Sequence, residues 1–151
     1  MYGDPGIPLG DKAAIEKGLG SENAGLADNL MELAASYAAN GKCMYAEPLY
    51  WRALSIRRKQ LGEMHEQVAE TLICLGALYE TYEQYPEAER FYQWALKIQE
   101  IALGPNVRET AVTLESLARV IREQRRLEEA VDFDLKAQDI WSSLSPQTQA
   151  D

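Results

Sequence analysis

The sequence predicts an all-α fold: an α-solenoid of antiparallel helix pairs, with three full repeats and a partial one at the N-terminus. Three observations carry this. First, the chain matches itself at a spacing of 42 residues: Leu30, Leu72 and Leu114; Leu33, Leu75 and Leu117; Ala46, Ala88 and Ala130; Ala53, Ala95 and Ala137; Ile56, Ile98 and Ile140. A fixed period of this length marks stacked repeats. Second, apolar residues inside each unit recur at helical spacing, as in Leu30, Leu33, Ala34 and Tyr37 at i, i+3, i+4 and i+7. Third, small and large residues alternate where helices must cross: Ala34, Gly76 and Ala118 against Tyr37, Tyr79 and Ile121, with Tyr50 and Tyr92 in the second helices. Such alternation lets antiparallel helices reach close packing.

In chain order, residues 1–10 hold Gly3, Pro5, Gly6, Pro8 and Gly10. Glycine and proline at that density exclude regular helix, so this is an extended lead. Residues 11–26 are the helix and linker of a partial repeat, because Leu19-Gly20 stands one period before Leu61-Gly62 and two before Leu103-Gly104. The array proper runs over 27–144, in repeats of about 27–68, 69–110 and 111–144, and 145–151 form a tail. Repeat one reads as helices over 27–39 and 44–60, the first stopped by Asn40-Gly41. Pro48 falls in the early turns of the second, where the missing N–H costs little. Repeat two gives helices near 68–82 and 86–102, the latter opened by Pro86, and repeat three near 108–124 and 127–143.

The whole chain has 151 residues, of which 46% are hydrophobic and 26% charged, with a net charge of −9. That balance opposes phosphate binding, which needs clustered Lys and Arg, so nucleic acid and anionic membrane are not expected partners. No apolar run approaches the roughly 18–20 residues of a membrane span. The N-terminus lacks the basic-then-apolar order of a signal peptide. Cys43 and Cys74 sit at unequal repeat positions without metal-ligand spacing, and read as free thiols in a reducing, cytoplasmic setting. His65 stands alone in the loop Glu63-Met64-His65-Glu66. No metal site and no cofactor is expected. Catalysis is not expected either: Cys74 and His65 would lie about 13 Å apart along a helix, too far for a dyad.

The segment Tyr45-Ala46-Glu47-Pro48-Leu49-Tyr50-Trp51-Arg52-Ala53-Leu54-Ser55-Ile56 and its counterpart Glu87-Ala88-Glu89-Arg90-Phe91-Tyr92 with Ala95-Leu96-Lys97-Ile98 resemble the second helix of the tetratricopeptide repeat, in the 42-residue form of kinesin light chains. The likeness covers about 27–144. It departs from the pattern at Asp134, which stands where Tyr50 and Tyr92 stand. The family's asparagine pair is replaced by Met31-Glu32, Ile73-Cys74 and Glu115-Ser116.

The resemblance implies a binding scaffold in which the first helices line a concave face. The peptide-binding positions are then Met31, Ala35 and Ala38 in repeat one; Ile73, Cys74, Ala77 and Glu80 in repeat two; and Glu115, Arg119 and Arg122 in repeat three. This makes an apolar end and a charged end. Arg119 and Arg122, one turn apart, suit an acidic side chain or C-terminal carboxylate of a protein or peptide partner. The same arginines have Glu80, Glu115 and Glu123 at hand for ordinary surface pairs. The alternative function is self-association into a homodimer through Phe133, Ile140, Trp141 and Leu144, an apolar stripe on a last helix where arrays usually carry a polar cap.

Overall fold

The computed structural model describes residues 24–146. The extended lead over 1–10, most of the partial repeat over 11–26, and the tail from 147 lie outside the described residues. The six described helices are α1 (Ala24–Ala39), α2 (Cys43–Leu61), α3 (Glu66–Thr81), α4 (Tyr85–Ala102), α5 (Arg108–Glu123) and α6 (Leu127–Leu144), with no strand among the described residues. They form three hairpins, α1/α2, α3/α4 and α5/α6. Successive hairpins stack through α2 on α3 and α4 on α5. The six helices expected over 27–144 form, with ends displaced by at most three residues. The largest displacement is at α1, which begins at Ala24 rather than 27.

The turn inside each hairpin is one motif used three times. In the first, Gly41 N–H donates to the Ala38 carbonyl and Lys42 N–H to Tyr37. Glu83 and Gln84 repeat the pattern on Glu80 and Tyr79, and Arg125 and Arg126 on Arg122 and Ile121. This is the Schellman closure, and it needs a left-handed residue at its centre. Gly41 takes φ 76° without strain, whereas Glu83 at 59° and Arg125 at 66° carry side chains there. Only the glycine was visible in sequence as a stop; the other two are imposed by the repeat.

Three core clusters follow the stacking. The first, around Leu30, Leu49, Leu54, Leu72 and Leu75, welds repeat one to repeat two. The second sets Ala88 and Tyr92 of α4 against Leu117, Val120 and Ile121 of α5. The third closes α5 on α6 through Ala111, Leu114, Ala137 and Ile140. The small residue Gly76 has a specific reason in repeat two. A Cβ placed there would stand 2.7 Å from Cε1 of Tyr92, so the ring occupies the space that any side chain would need.

Polar ties recur at the same register. Arg57 of α2 donates to Thr71 Oγ1 of α3 at 3.0 Å, and 42 residues on, Thr113 Oγ1 of α5 donates to Gln99 Oε1 of α4 at 2.7 Å. Arg57 also donates to the Gln67 carbonyl and to Asp28, so it bolts three helices together. The run Arg57-Arg58-Lys59 is therefore divided. Arg57 is buried, while Arg58 is exposed, pairs with Glu63 and lies over the Trp94 ring.

Candidate functional site

The first helices of the three hairpins bring small and apolar side chains into one surface channel. Between α1 and α3 lies a cavity of about 230 Å³, whose walls include Ala38, Cys74, Ala77 and Tyr50. Between α3 and α5 lies a second of about 530 Å³, which takes in Ile73, Cys74, Val112 and Leu103. Cys74 lines both, so the two recesses meet at its side chain. Of the residues expected there, Ala38, Ile73, Cys74 and Ala77 come together in the channel. Ala35 is exposed on the same helix. Met31 is not on the surface: at 8% exposure it belongs to the first core cluster.

The channel has two differently charged margins. Toward the start of the helices stand Glu66, Glu70 and Glu109, with Arg108 among them. Toward the end of the helices stand Glu80, Arg119 and Arg122, which line neither recess. Val112 and the acidic margin were missed in sequence. Positions 28, 70 and 112 form the next row, one turn before the row 31, 73 and 115, so extending the helical pattern backward by three residues would have found them.

The arginine margin is built from paired charges. Arg119 grips Glu80 with both prongs, Nε to Oε2 at 3.0 Å and Nη2 to Oε1 at 2.9 Å, and reaches Ser116 Oγ at 3.4 Å. Glu80 also accepts the hydroxyl proton of Tyr92 at 2.6 Å. Arg122 pairs with Asp134 of α6. Glu80 with Tyr92 and Arg122 with Asp134 are the same pair of positions one period apart, which gives the departure at Asp134 its reason. The third repeat replaces a tyrosine–carboxylate bond by an ion pair between the same two helices. Glu115 is engaged too, accepting from Trp141 Nε1 at 2.9 Å.

Cys74 is desolvated and His65 is engaged in a helix cap. Burial pushes the Cys74 thiol up, with a hydrogen bond from Tyr50 opposing it, so this thiol is a poorer nucleophile than a free one. His65 caps α3 by accepting from Gln67 N–H through Nδ1 at 3.1 Å. Among the described residues no three His, Cys, Asp or Glu side chains gather as metal ligands. No described helix is long and apolar enough to cross a membrane.

Burial, with the neighbouring Glu80, raises the Tyr92 phenol above its ordinary value, and burial with Cys74 raises Tyr50. A phenol raised in the folded state contributes stability that is intact below the unfolded value of about 10 and lost above it. We expect helix content to hold up to about pH 10 and then fall in step with the last tyrosinate absorbance at 295 nm. Full ionisation of all tyrosines with the helices intact would overturn this.

The stripe named for self-association is largely spent inside. Ile140 is buried in the third cluster, and Phe133 and Trp141 pack half-buried against it. Leu144 is exposed at 45%.

The sequence pattern described as tetratricopeptide repeat matches residues 25–101. Among solved structures, BtubC (BKLC) from P. vanneervenii is similar with a TM-score of 0.81 at 21% identity, covering 93% of this chain and 59% of that one. A protein of Podosopora anserina described as a kinesin light chain with nearly identical TPR-like repeats is similar with a TM-score of 0.75 at 22% identity, covering 90% of this chain and 66% of that one. The chain thus spans less than two thirds of either neighbour. At these identities the likeness is one of fold. No curated protein matches.

Proposed function

Since the chain belongs to the tetratricopeptide repeat family, whose repeats generally mediate protein–protein interaction and are typically non-enzymatic, we propose that it is a binding scaffold that takes a peptide segment of a partner in the channel along α1, α3 and α5. The observation that carries this reading is the pair of recesses joined at Cys74, the smaller lined by Ala38, Gly41 and Ala77, the larger by Ile73 and Val112 with Glu66, Glu70 and Glu109 at its edge. Small residues let a peptide backbone approach the helices. The apolar floor at Ile73 and Val112 accepts hydrophobic side chains. Arg119 and Arg122 are 53% and 48% exposed and have N–H groups beyond those given to Glu80 and Asp134, so a partner carboxylate can join these pairs without breaking them.

Peptides selected from a displayed random library against the protein test this. Ala77 is exposed on α3, so Ala77→Arg fills the channel while leaving the core alone. We expect the selected peptides to lose at least about tenfold in affinity on Ala77→Arg, equivalent to about 1.4 kcal/mol, and to slow alkylation of Cys74 in the wild type. Peptides that bind the variant equally well and leave Cys74 unprotected would remove the channel as the site.

A further inference from the structure

The face that α6 turns away from the array differs in chemistry from the two internal faces at the same register. In α2 that face carries Cys43, Glu47 and Arg57. Cys43 and Arg57 are buried against the next repeat, and Glu47 accepts the Tyr79 hydroxyl at 2.8 Å. In α4 it carries Tyr85, Glu89 and Gln99. Glu89 accepts from Gln124 Nε2 at 2.7 Å and Arg126 Nη1 at 2.8 Å. Each internal face thus joins its neighbour through a glutamate and a polar tie 10 residues further on. In α6 the glutamate position is Val131 and the tie position is Trp141, which is turned back to Glu115 of its own hairpin. Neither position carries one of the polar groups by which α2 and α4 join the neighbouring hairpin.

In their place is an open apolar stripe. Leu127, Val131 and Leu135 follow at i, i+4 and i+8 and are 58%, 51% and 52% exposed. Along one side of it run Glu128, Asp132 and Asp139, all exposed and without an ion pair among the described residues. The other acids of the helix's middle are occupied, Glu129 by Arg126 and Asp134 by Arg122. An apolar stripe with one anionic margin fits an amphipathic helix whose own apolar stripe is flanked by Lys or Arg. A second copy fits poorly. Two α6 helices set antiparallel across a two-fold axis place like margin against like margin, here three carboxylates against three.

The geometry points to a second docking surface: the stripe Leu127, Val131 and Leu135 of α6 receives a basic amphipathic helix of a partner protein, held in orientation by Glu128, Asp132 and Asp139. This surface is separate from the channel, and both can be filled together.

Two labelled 18-residue helical peptides sharing one leucine stripe, flanked in one case by lysines and in the other by glutamates, test the assignment by fluorescence anisotropy. The lysine peptide should bind, and the glutamate peptide should bind at least about tenfold more weakly. The triple variant Leu127→Ser/Val131→Ser/Leu135→Ser, whose changes are all at exposed positions, should keep the wild-type thermal transition and lose at least about tenfold for the lysine peptide. Asp132→Lys/Asp139→Lys should reverse the preference between peptides, and Ala77→Arg should leave it unchanged. Equal binding of both peptides, retention of lysine-peptide binding by the triple variant, or its loss on Ala77→Arg would each overturn the proposal. So would a wild-type dimer, seen by light scattering, that the triple variant abolishes, since the stripe would then belong to a second copy.

Discussion

Tyr92→Ala is expected to cost about 3–5 kcal/mol of folding stability, the range for removing a buried aromatic ring. Tyr92 is 1% exposed and stands between two repeats, with its ring over Gly76 of α3 and its neighbours Leu117 and Val120 on α5. Removing it empties the second cluster at the junction where α4 must grip α5. The hydroxyl bond to Glu80 goes as well, but Glu80 keeps Arg119, so that part is small. Tyr92→Phe should therefore cost only about 1 kcal/mol.

The contact with Gly76 makes the claim sharper. Gly76→Ala alone forces the ring to move, and overpacking of this kind costs about 1–3 kcal/mol against a gain of about 1 kcal/mol in helix propensity. In the Tyr92→Ala background the obstruction is gone, and the same change should stabilise by about 1 kcal/mol. Urea unfolding followed by circular dichroism measures all four proteins of the cycle. An effect of Gly76→Ala that is the same in both backgrounds would show that the ring does not occupy that space.

Arg57→Ala is expected to cost about 2 kcal/mol, and Arg57→Gln about half as much. Arg57 is 4% exposed and donates to Asp28, Gln67 and Thr71 on two other helices. Removing one partner of a wholly buried pair costs about 3–5 kcal/mol. Here Asp28 and Glu70 are 58% and 62% exposed, and Thr71 keeps its own bond to the Gln67 carbonyl, so no buried charge is stranded. Glutamine keeps a bond to Thr71, as Gln99 does with Thr113 one repeat later. Denaturation midpoints of the two variants check this, and equal losses would mean that packing of the side-chain stem, not the polar tie, is what Arg57 supplies.

Much of the architecture was legible because it depends on spacing alone. Leu30, Leu72 and Leu114 each stand in a core, as do Ala46, Ala88 and Ala130. A helix with one apolar face has to bury it against the next helix, whatever the partner is. The channel was half legible for the same reason. Ala38, Ile73, Cys74 and Ala77 follow from rotation about the helix, while Met31 illustrates the error in that rotation: a residue one step from the stripe can lie inside it.

What could not be read were side chains whose fate depends on a neighbour far away in sequence. Arg57 and Arg58 are adjacent and both cationic, yet one is a buried bolt and the other an exposed partner of Glu63 and Trp94. Asp134 looks like a lapse from the repeat until Arg122 is found opposite it, 12 residues away across a turn.

The amino-acid order by itself determined the repeat spacing of the described hairpins, the class of helix packing and which row of positions could be a floor, because periodicity in a chain of 3.6 residues per turn is a one-dimensional property. Only the assembled tertiary structure decided which charges are paired, why Gly76 must be small, and that α6 bares an apolar stripe on the face where α2 and α4 carry their glutamate anchors. Those are properties of distance between helices, and the distance appears only when the hairpins are stacked.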